Sequence, residues 1–180
     1  MDIQELEQDL GMHLTIEMVD WDYISRFYNL DEDLIRKYQI YVCWNEISEC
    51  QKLSESFIEE FKDVVNWSKI SHYQKLTESF IREFQDKVNW EYISCCQHLS
   101  ESFIKEFANY VDWDYISSRQ VLSEQFIREF SDKLNWICIS VYQKLSKDFI
   151  VEFKDKIRLE YLKYNQNITS EIKNQFIIFN

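Results

Sequence analysis

Six tryptophans, Trp21, Trp44, Trp67, Trp90, Trp113 and Trp136, are all the chain has, and each follows the last by 23 residues. A fixed spacing of this size marks a tandem repeat, in which each unit is one small supersecondary element that buries its apolar face against its neighbours. Residues 21–158 divide into six such repeats. Residues 1–20 read as a polar lead-in followed by a half-repeat cap, and residues 159–180 as a degenerate capping repeat, all within a single domain.

With each tryptophan counted as position 0, position 3 is always Ile, position 4 always Ser, position 9 always Leu and position 14 always Ile. Position 7 is Tyr28 and then Gln51, Gln74, Gln97, Gln120 and Gln143. Positions 13 and 17 are Phe in repeats 2 to 6, and position 21 is aliphatic throughout.

Two positions carry helix-start chemistry. Asp20, Asn66, Asn89, Asp112 and Asn135 precede a tryptophan, and Asp31, Ser54, Thr77, Ser100, Ser123 and Ser146 occupy position 10. Side-chain oxygens of these types accept from the free N–H groups of a first helical turn. Glu55, Glu78, Glu101 and Glu124 follow position 10, where the helix dipole favours negative charge. Two starts per repeat predict two helices, helix A over about positions 0–7 and helix B over about positions 11–20.

Positions 0, 3, 4 and 7 share one helical face, and so do 13, 14, 17 and 21. One continuous helix is excluded. At roughly 100° per residue, 23 residues rotate the apolar stripe by about 140° beyond whole turns, so no partner helix buries it along its length. Helices this short need neighbours. The expected fold is all-α, an α-solenoid of antiparallel two-helix 23-residue repeats, with Trp, Ile, Leu and Phe in one core. Proline is absent and glycine occurs once, at Gly11, which also disfavours β-rich turns.

Chemistry-bearing motifs are sparse. His13, His72 and His98 occupy unrelated positions without metal-ligand spacing. Gly11 makes no phosphate-cradling loop by itself. Ser recurs at position 4 with no His beside it. No catalytic, cofactor-binding or metal-binding residue is expected. Five cysteines without a CxxC pair, Cys43, Cys50, Cys95, Cys96 and Cys138, suit a reducing compartment. The acidic start lacks a signal-peptide core, and no apolar run reaches membrane-span length, so an intracellular setting without membrane insertion is expected.

Glu60, Glu83, Glu106, Glu129 and Glu152 recur at position 16, read as a solvated face. Glu83, Glu129 and Glu152 are expected to pair with Lys87, Lys133 and Lys156 four residues on. The recurring glutamine, on a buried-looking face, must find partners in the A–B turn or in the next glutamine. A row reading one nucleobase per repeat is the alternative. A net charge of −12 speaks against that and against any phosphate-backbone binder, and is compatible with simple solubility or a basic partner.

Partner-reading residues in such arrays lie where the repeats differ. At positions 2 and 6 these are Tyr23, Phe27, Tyr73, Tyr92, Tyr115, Arg119 and Tyr142, mostly aromatics of the kind that enrich binding surfaces. The tail Phe176-Ile177-Ile178-Phe179 is expected to pack back as a cap, or to serve self-association.

The repeat written out from Asn89 to Phe107, Trp-x-x-Ile-Ser followed by Gln-x-Leu-Ser-Glu-x-Phe-Ile-x-Glu-Phe, resembles short tandem repeats in proteins of giant DNA viruses of amoebae. The resemblance covers residues 20 to about 158, with departures at Tyr28 and Leu34. It implies an infected-cell or virion setting, and it carries over no activity and no functional residue. The expected function is a non-enzymatic scaffold for protein–protein interaction. The alternatives are a virion component that self-associates through its terminal repeats and, third, a nucleic-acid-binding array.

Overall fold

The computed structural model describes residues 3–11 and 20–177, which form 15 α-helices and no strand. The half-repeat cap read over residues 12–20 therefore lies outside the described residues except for Asp20. Two compact units make up the chain, Met1–Asn89 and Trp90–Asn180, and the boundary falls between two repeats. Each unit is a run of α-solenoid built from consecutive helix pairs.

Helix A occupies positions 0–6 in every full repeat, as in Trp44–Cys50 or Trp113–Arg119. Asp20, Asn66, Asp112 and Asn135 each accept from two backbone N–H groups of the first turn. Position 10 caps helix B in the same way: the Ser54, Thr77, Ser100, Ser123 and Ser146 hydroxyls accept from the backbone N–H of the position-13 Phe. Both predicted starts are therefore where the sequence puts them.

Helix B is shorter than expected. It covers positions 11–16, as in Glu55–Glu60 and Glu124–Glu129. The position-17 Phe already leaves helical geometry, with Phe61 at φ −107° and ψ 24°. A turn then closes on its carbonyl, which accepts from Val64 and Val65 at 3.0 and 3.1 Å. This turn redirects the chain toward the next tryptophan, so the residue at position 20 is not on the helix that carries position 16.

The core of each unit holds positions 3, 13, 14 and 21, joined by position 17 at Phe61, Phe84 and Phe107, whereas Phe130 and Phe153 are half-buried. Ile47, Phe57, Ile58 and Val65 are buried in the N-terminal unit, and Ile116, Phe126, Ile127 and Leu134 in the C-terminal unit. Burial of one such side chain contributes about 1.5–3 kcal/mol. The tryptophans depart from the expected core placement, being half-buried at the rim. Trp113 stacks on Phe130 of its own repeat, centroids 5.2 Å apart, and its indole N–H donates to the Ala108 carbonyl of the preceding repeat at 3.1 Å. Trp44, Trp67 and Trp136 make the same bond to Gln39, Lys62 and Ser131. The ring edge must stay near the surface to reach that carbonyl, so burial is incomplete.

Buried polar groups join the repeats. The position-4 serines of repeats 2 to 6 donate to the carbonyl of their own tryptophan, as Ser117 does to Trp113 at 2.6 Å. The same oxygen accepts from the backbone N–H that precedes the next tryptophan, as from Asn135 at 2.9 Å. Beyond being small, serine therefore ties the two ends of its repeat together. Within each unit the glutamine serves the repeat before its own. Gln120 Nε2 donates to the carbonyls of Ser94 and Gln97 at 3.0 and 2.8 Å, and its Oε1 accepts from Leu99 N–H at 3.1 Å. Gln51, Gln74 and Gln143 repeat the pattern. Among the described residues no buried side-chain nitrogen or oxygen lacks a partner.

The first and last helices are specialised. Helix Ile3–Leu10 brings Asp9 against helix B of repeat 1, where its carboxylate accepts from Lys37 Nζ and from the Tyr38 hydroxyl at 2.9 Å. In the degenerate repeat the buried Asn165 replaces glutamine and donates to the carbonyls of Ser140 and Gln143 at 2.8 and 2.9 Å. The terminal helix Ser170–Ile177 packs against Leu159–Leu162, with Ile172 and Phe176 half-buried. The Ile177 side chain and residues Ile178 and Phe179 of the apolar tail lie outside the described residues.

Candidate interaction surface

Because positions 3, 4 and 7 of helix A face the core, positions 1, 2, 5 and 6 turn outward. In the N-terminal unit Tyr23 and Phe27, one helical turn apart, are 52% and 64% exposed, and their ring centroids lie 4.7 Å apart. Tyr73 is also exposed, with Lys69 Nζ 5.5 Å above its ring and His72 beside it. In the C-terminal unit Tyr142 and Arg119 are exposed, whereas Tyr92 and Tyr115 are half-buried. The Glu91 carboxylate beside Tyr115, and then burial, push its hydroxyl above the ordinary tyrosine range. Tyr23 and Phe27 thus form one cluster, and the other predicted residues belong to repeats 3 to 6.

Neighbouring A helices in the N-terminal unit are knitted through position 5 of one repeat and position 2 of the next. Arg26 Nε donates to Glu46 at 2.6 Å, and Lys69 Nζ lies 2.5 Å from Glu49. Glu46 raises the Arg26 pKa, and Lys69 holds Glu49 below the usual carboxylate range. Exposed pairs of this kind contribute little to stability and mainly order the surface.

On the helix-B side, position 16 is solvated as expected, but its pairing differs from expectation. Glu60, Glu129 and Glu152 pair with Arg36, Lys105 and Arg128 at position 15 of the preceding repeat, at 2.8, 2.5 and 2.9 Å. Lys87, Lys133 and Lys156 lie instead over the rings of Trp67, Trp113 and Trp136, at 5.9, 5.4 and 5.5 Å from the centroids. Lys87 and Lys156 also reach Asp63 and Asp132 of the preceding repeat at 3.0 and 2.7 Å. The early end of helix B is the cause, since it removes the four-residue helical geometry that such a pair requires. Tyr41 and Tyr110 at position 20 likewise cover Trp21 and Trp90.

The position-11 glutamates do more than favour the helix dipole. The carboxylates of Glu32, Glu55, Glu101 and Glu124 accept from the backbone N–H of position 10 in the next repeat at 2.5–2.7 Å.

All five cysteines are free thiols, and Cys50 and Cys96 are exposed. Burial, and then the neighbouring Cys96, push the Cys95 thiol up to about 12. Among the described residues no group of three or more His, Cys, Asp and Glu side chains is arranged to hold a metal ion. Nor is any described helix long and apolar enough to cross a membrane. His13 lies outside the described residues.

Of two surface depressions, only the first includes any of the predicted surface residues. It lies in the N-terminal unit and is lined by Asp20, Asp22, Tyr23, Arg26, Phe27 and Glu46. The other, in the C-terminal unit, is a mainly apolar groove that includes Val121, Leu122, Leu145, Ile168 and Ile172. Of the carboxylates lining the first, the sequence singled out Asp20 only as a helix cap, and Asp22 and Glu46 not at all. Their signal was local charge, because residues 1–33 hold ten acidic side chains against one arginine.

Fold and surface together define the class, a helical-repeat protein of the α-solenoid kind. No model of a known family, no curated protein and no solved structure matches the chain.

Proposed function

We propose that the protein is a non-enzymatic scaffold that binds a protein partner through the outer face of its A helices. One observation carries this reading. The polar residues that recur, Ser at position 4 and Gln at position 7, are consumed in bonds that hold the repeats together. The exposed aromatics Tyr23, Phe27, Tyr73 and Tyr142 instead sit at the positions that change from repeat to repeat. Rigid aromatic side chains on an ordered surface are the groups that anchor protein interfaces. The setting we infer is an infected cell or a virion, on the strength of the Trp-x-x-Ile-Ser repeat and its resemblance to viral arrays.

The test is affinity capture from host and infected-cell lysate by the full chain and by a variant with Tyr23, Phe27, Tyr73, Tyr92, Tyr115 and Tyr142 changed to Ala. Specific capture that the variant loses is the expected result. Capture that survives in the variant overturns the choice of surface. Light scattering addresses the self-associating alternative: a mass independent of concentration is expected, and concentration-dependent growth would replace the scaffold reading.

A further inference from the structure

The negative charge of this protein is not spread evenly. Residues 1–89 hold 19 acidic and nine basic side chains, a net charge of −10, and residues 90–180 hold 13 and 11, a net charge of −2. A uniform need for solubility does not predict this asymmetry. The acidic excess is densest toward the start of the chain, where the depression lined by Asp20, Asp22, Tyr23, Arg26, Phe27 and Glu46 lies.

The chemistry of that depression is already displayed by one of its own residues. Arg26 donates through Nε and Nη2 to both oxygens of Glu46, at 2.6 and 3.2 Å. Its guanidinium carbon lies 6.0 Å from the Phe27 ring centroid. A carboxylate beside an aromatic ring is thus used here to hold a guanidinium, by charge-assisted hydrogen bonds and by the ring quadrupole. Glu46 is engaged in this way, but two further carboxylates border the same aromatics. Asp20 spends Oδ1 as the helix cap, accepting from Asp22 and Tyr23 N–H at 3.0 and 3.1 Å. Neither Asp20 nor Asp22 has a Lys or Arg partner among the described residues. Both are exposed, as are the Tyr23 and Phe27 rings beside them.

We infer that this depression docks a Lys- or Arg-rich peptide segment of the partner protein, its cationic side chains entering against Tyr23 and Phe27 and pairing with Asp20 and Asp22. The inference rests on the scaffold reading and names the chemistry of the partner. It selects the N-terminal unit, because the less charged C-terminal unit offers no comparable field. The net negative charge of the N-terminal unit steers such a segment, and added salt weakens that steering.

The experiment is fluorescence anisotropy of a labelled 12-residue Arg/Lys/Ser peptide titrated with the full chain, at low and at physiological salt. The wild type is expected to bind it, more weakly as salt rises, and to ignore an acidic peptide of the same length. Tyr23→Ala with Phe27→Ala is expected to weaken binding about tenfold, the scale of lost cation–π contacts at an interface. Asp20→Asn with Asp22→Asn keeps the capping oxygen and is expected to weaken binding and flatten the salt dependence. Tyr164→Ala, an exposed aromatic of the C-terminal unit, is expected to change nothing. Absence of binding at low salt overturns the inference, and so does binding that neither double variant weakens, which would mark diffuse attraction to the acidic surface. If the peptide fails to bind while lysate capture still depends on the aromatics, the basic partner is refuted and the scaffold stands.

Discussion

Gln143 Nε2 lies 2.8 Å from the main-chain carbonyl oxygen of Gln120, the residue at the same position one repeat earlier. The side chains of Gln51, Gln74, Gln120 and Gln143 each serve the backbone of the residue at the same position one repeat earlier. Gln120→Leu keeps the bulk but leaves the Ser94 and Gln97 carbonyls and the Leu99 N–H without their partner. A buried polar group so stranded costs about 1–3 kcal/mol, so a loss of about 2–5 kcal/mol is expected in denaturant unfolding.

Phe and Trp differ in what their removal costs. Phe103 is fully buried, and Phe103→Ala is expected to destabilise by about 3–5 kcal/mol. Trp113 is half-buried, and Trp113→Ala is expected to cost less than Phe103→Ala in the same assay. Trp113→Phe removes chiefly the indole bond to Ala108, a loss of about 1 kcal/mol. Equal costs for Phe103→Ala and Trp113→Ala would show that the tryptophan is a core residue after all.

Glu152 has two candidate cations, and geometry chooses between them. It pairs with Arg128, 24 residues earlier, at 2.9 Å, while Lys156, four residues later, reaches Asp132 and the Trp136 ring. Double-mutant cycles are expected to give a measurable coupling between Arg128 and Glu152 and none between Glu152 and Lys156. The reverse pattern would restore a continuous helix B in solution.

The Lys37 ammonium and then the Tyr38 hydroxyl, both hydrogen-bonded to Asp9, hold its carboxylate below the ordinary aspartate range. A depressed folded-state pKa contributes stability that is present above the unfolded value and lost as pH falls through the folded one. NMR titration should therefore find the Asp9 midpoint below 3.8, with protection of helix Ile3–Leu10 falling through that midpoint. Asp9→Asn should remove this pH dependence, and Tyr38→Phe should raise the midpoint.

The repeat length, both helix starts and the inward faces were legible in the sequence, because each depends on residue type at a fixed spacing. Asn66 and Ser54 announce helix starts locally, and Ile47 and Phe57 announce burial by period. The end of helix B was not legible. Nothing in Phe61-Lys-Asp-Val marks a stop, since the turn is imposed by the need to reach the next repeat. The roles of Ser48 and Glu55 were half legible: their types fit a close approach and a helix dipole, but their hydrogen-bond partners lie 18 and 22 residues away. Of the predicted surface, the exposure of Tyr23 and Phe27 followed from helical period. The cleft beside them depends on Glu46 arriving from the next repeat, which no local pattern records.

The amide bonds that close the A–B turns point one way. Gln51, Gln74, Gln120 and Gln143 reach toward the chain start, and Asn165 ends the series with a shorter amide that donates to the corresponding two carbonyls of repeat 6. An internal repeat is therefore a replaceable link. If residues 113–135 were excised, Asp112 would precede Trp136 and Gln143 would meet the Gln97 turn, so the donors and acceptors of the A–B turn would again face groups of their own kind. Such an array can lengthen or shorten by whole links through recombination while that bonding stays complete. The end links alone are irreplaceable, and the variable residues carried by each link can be dealt into new orders along the surface.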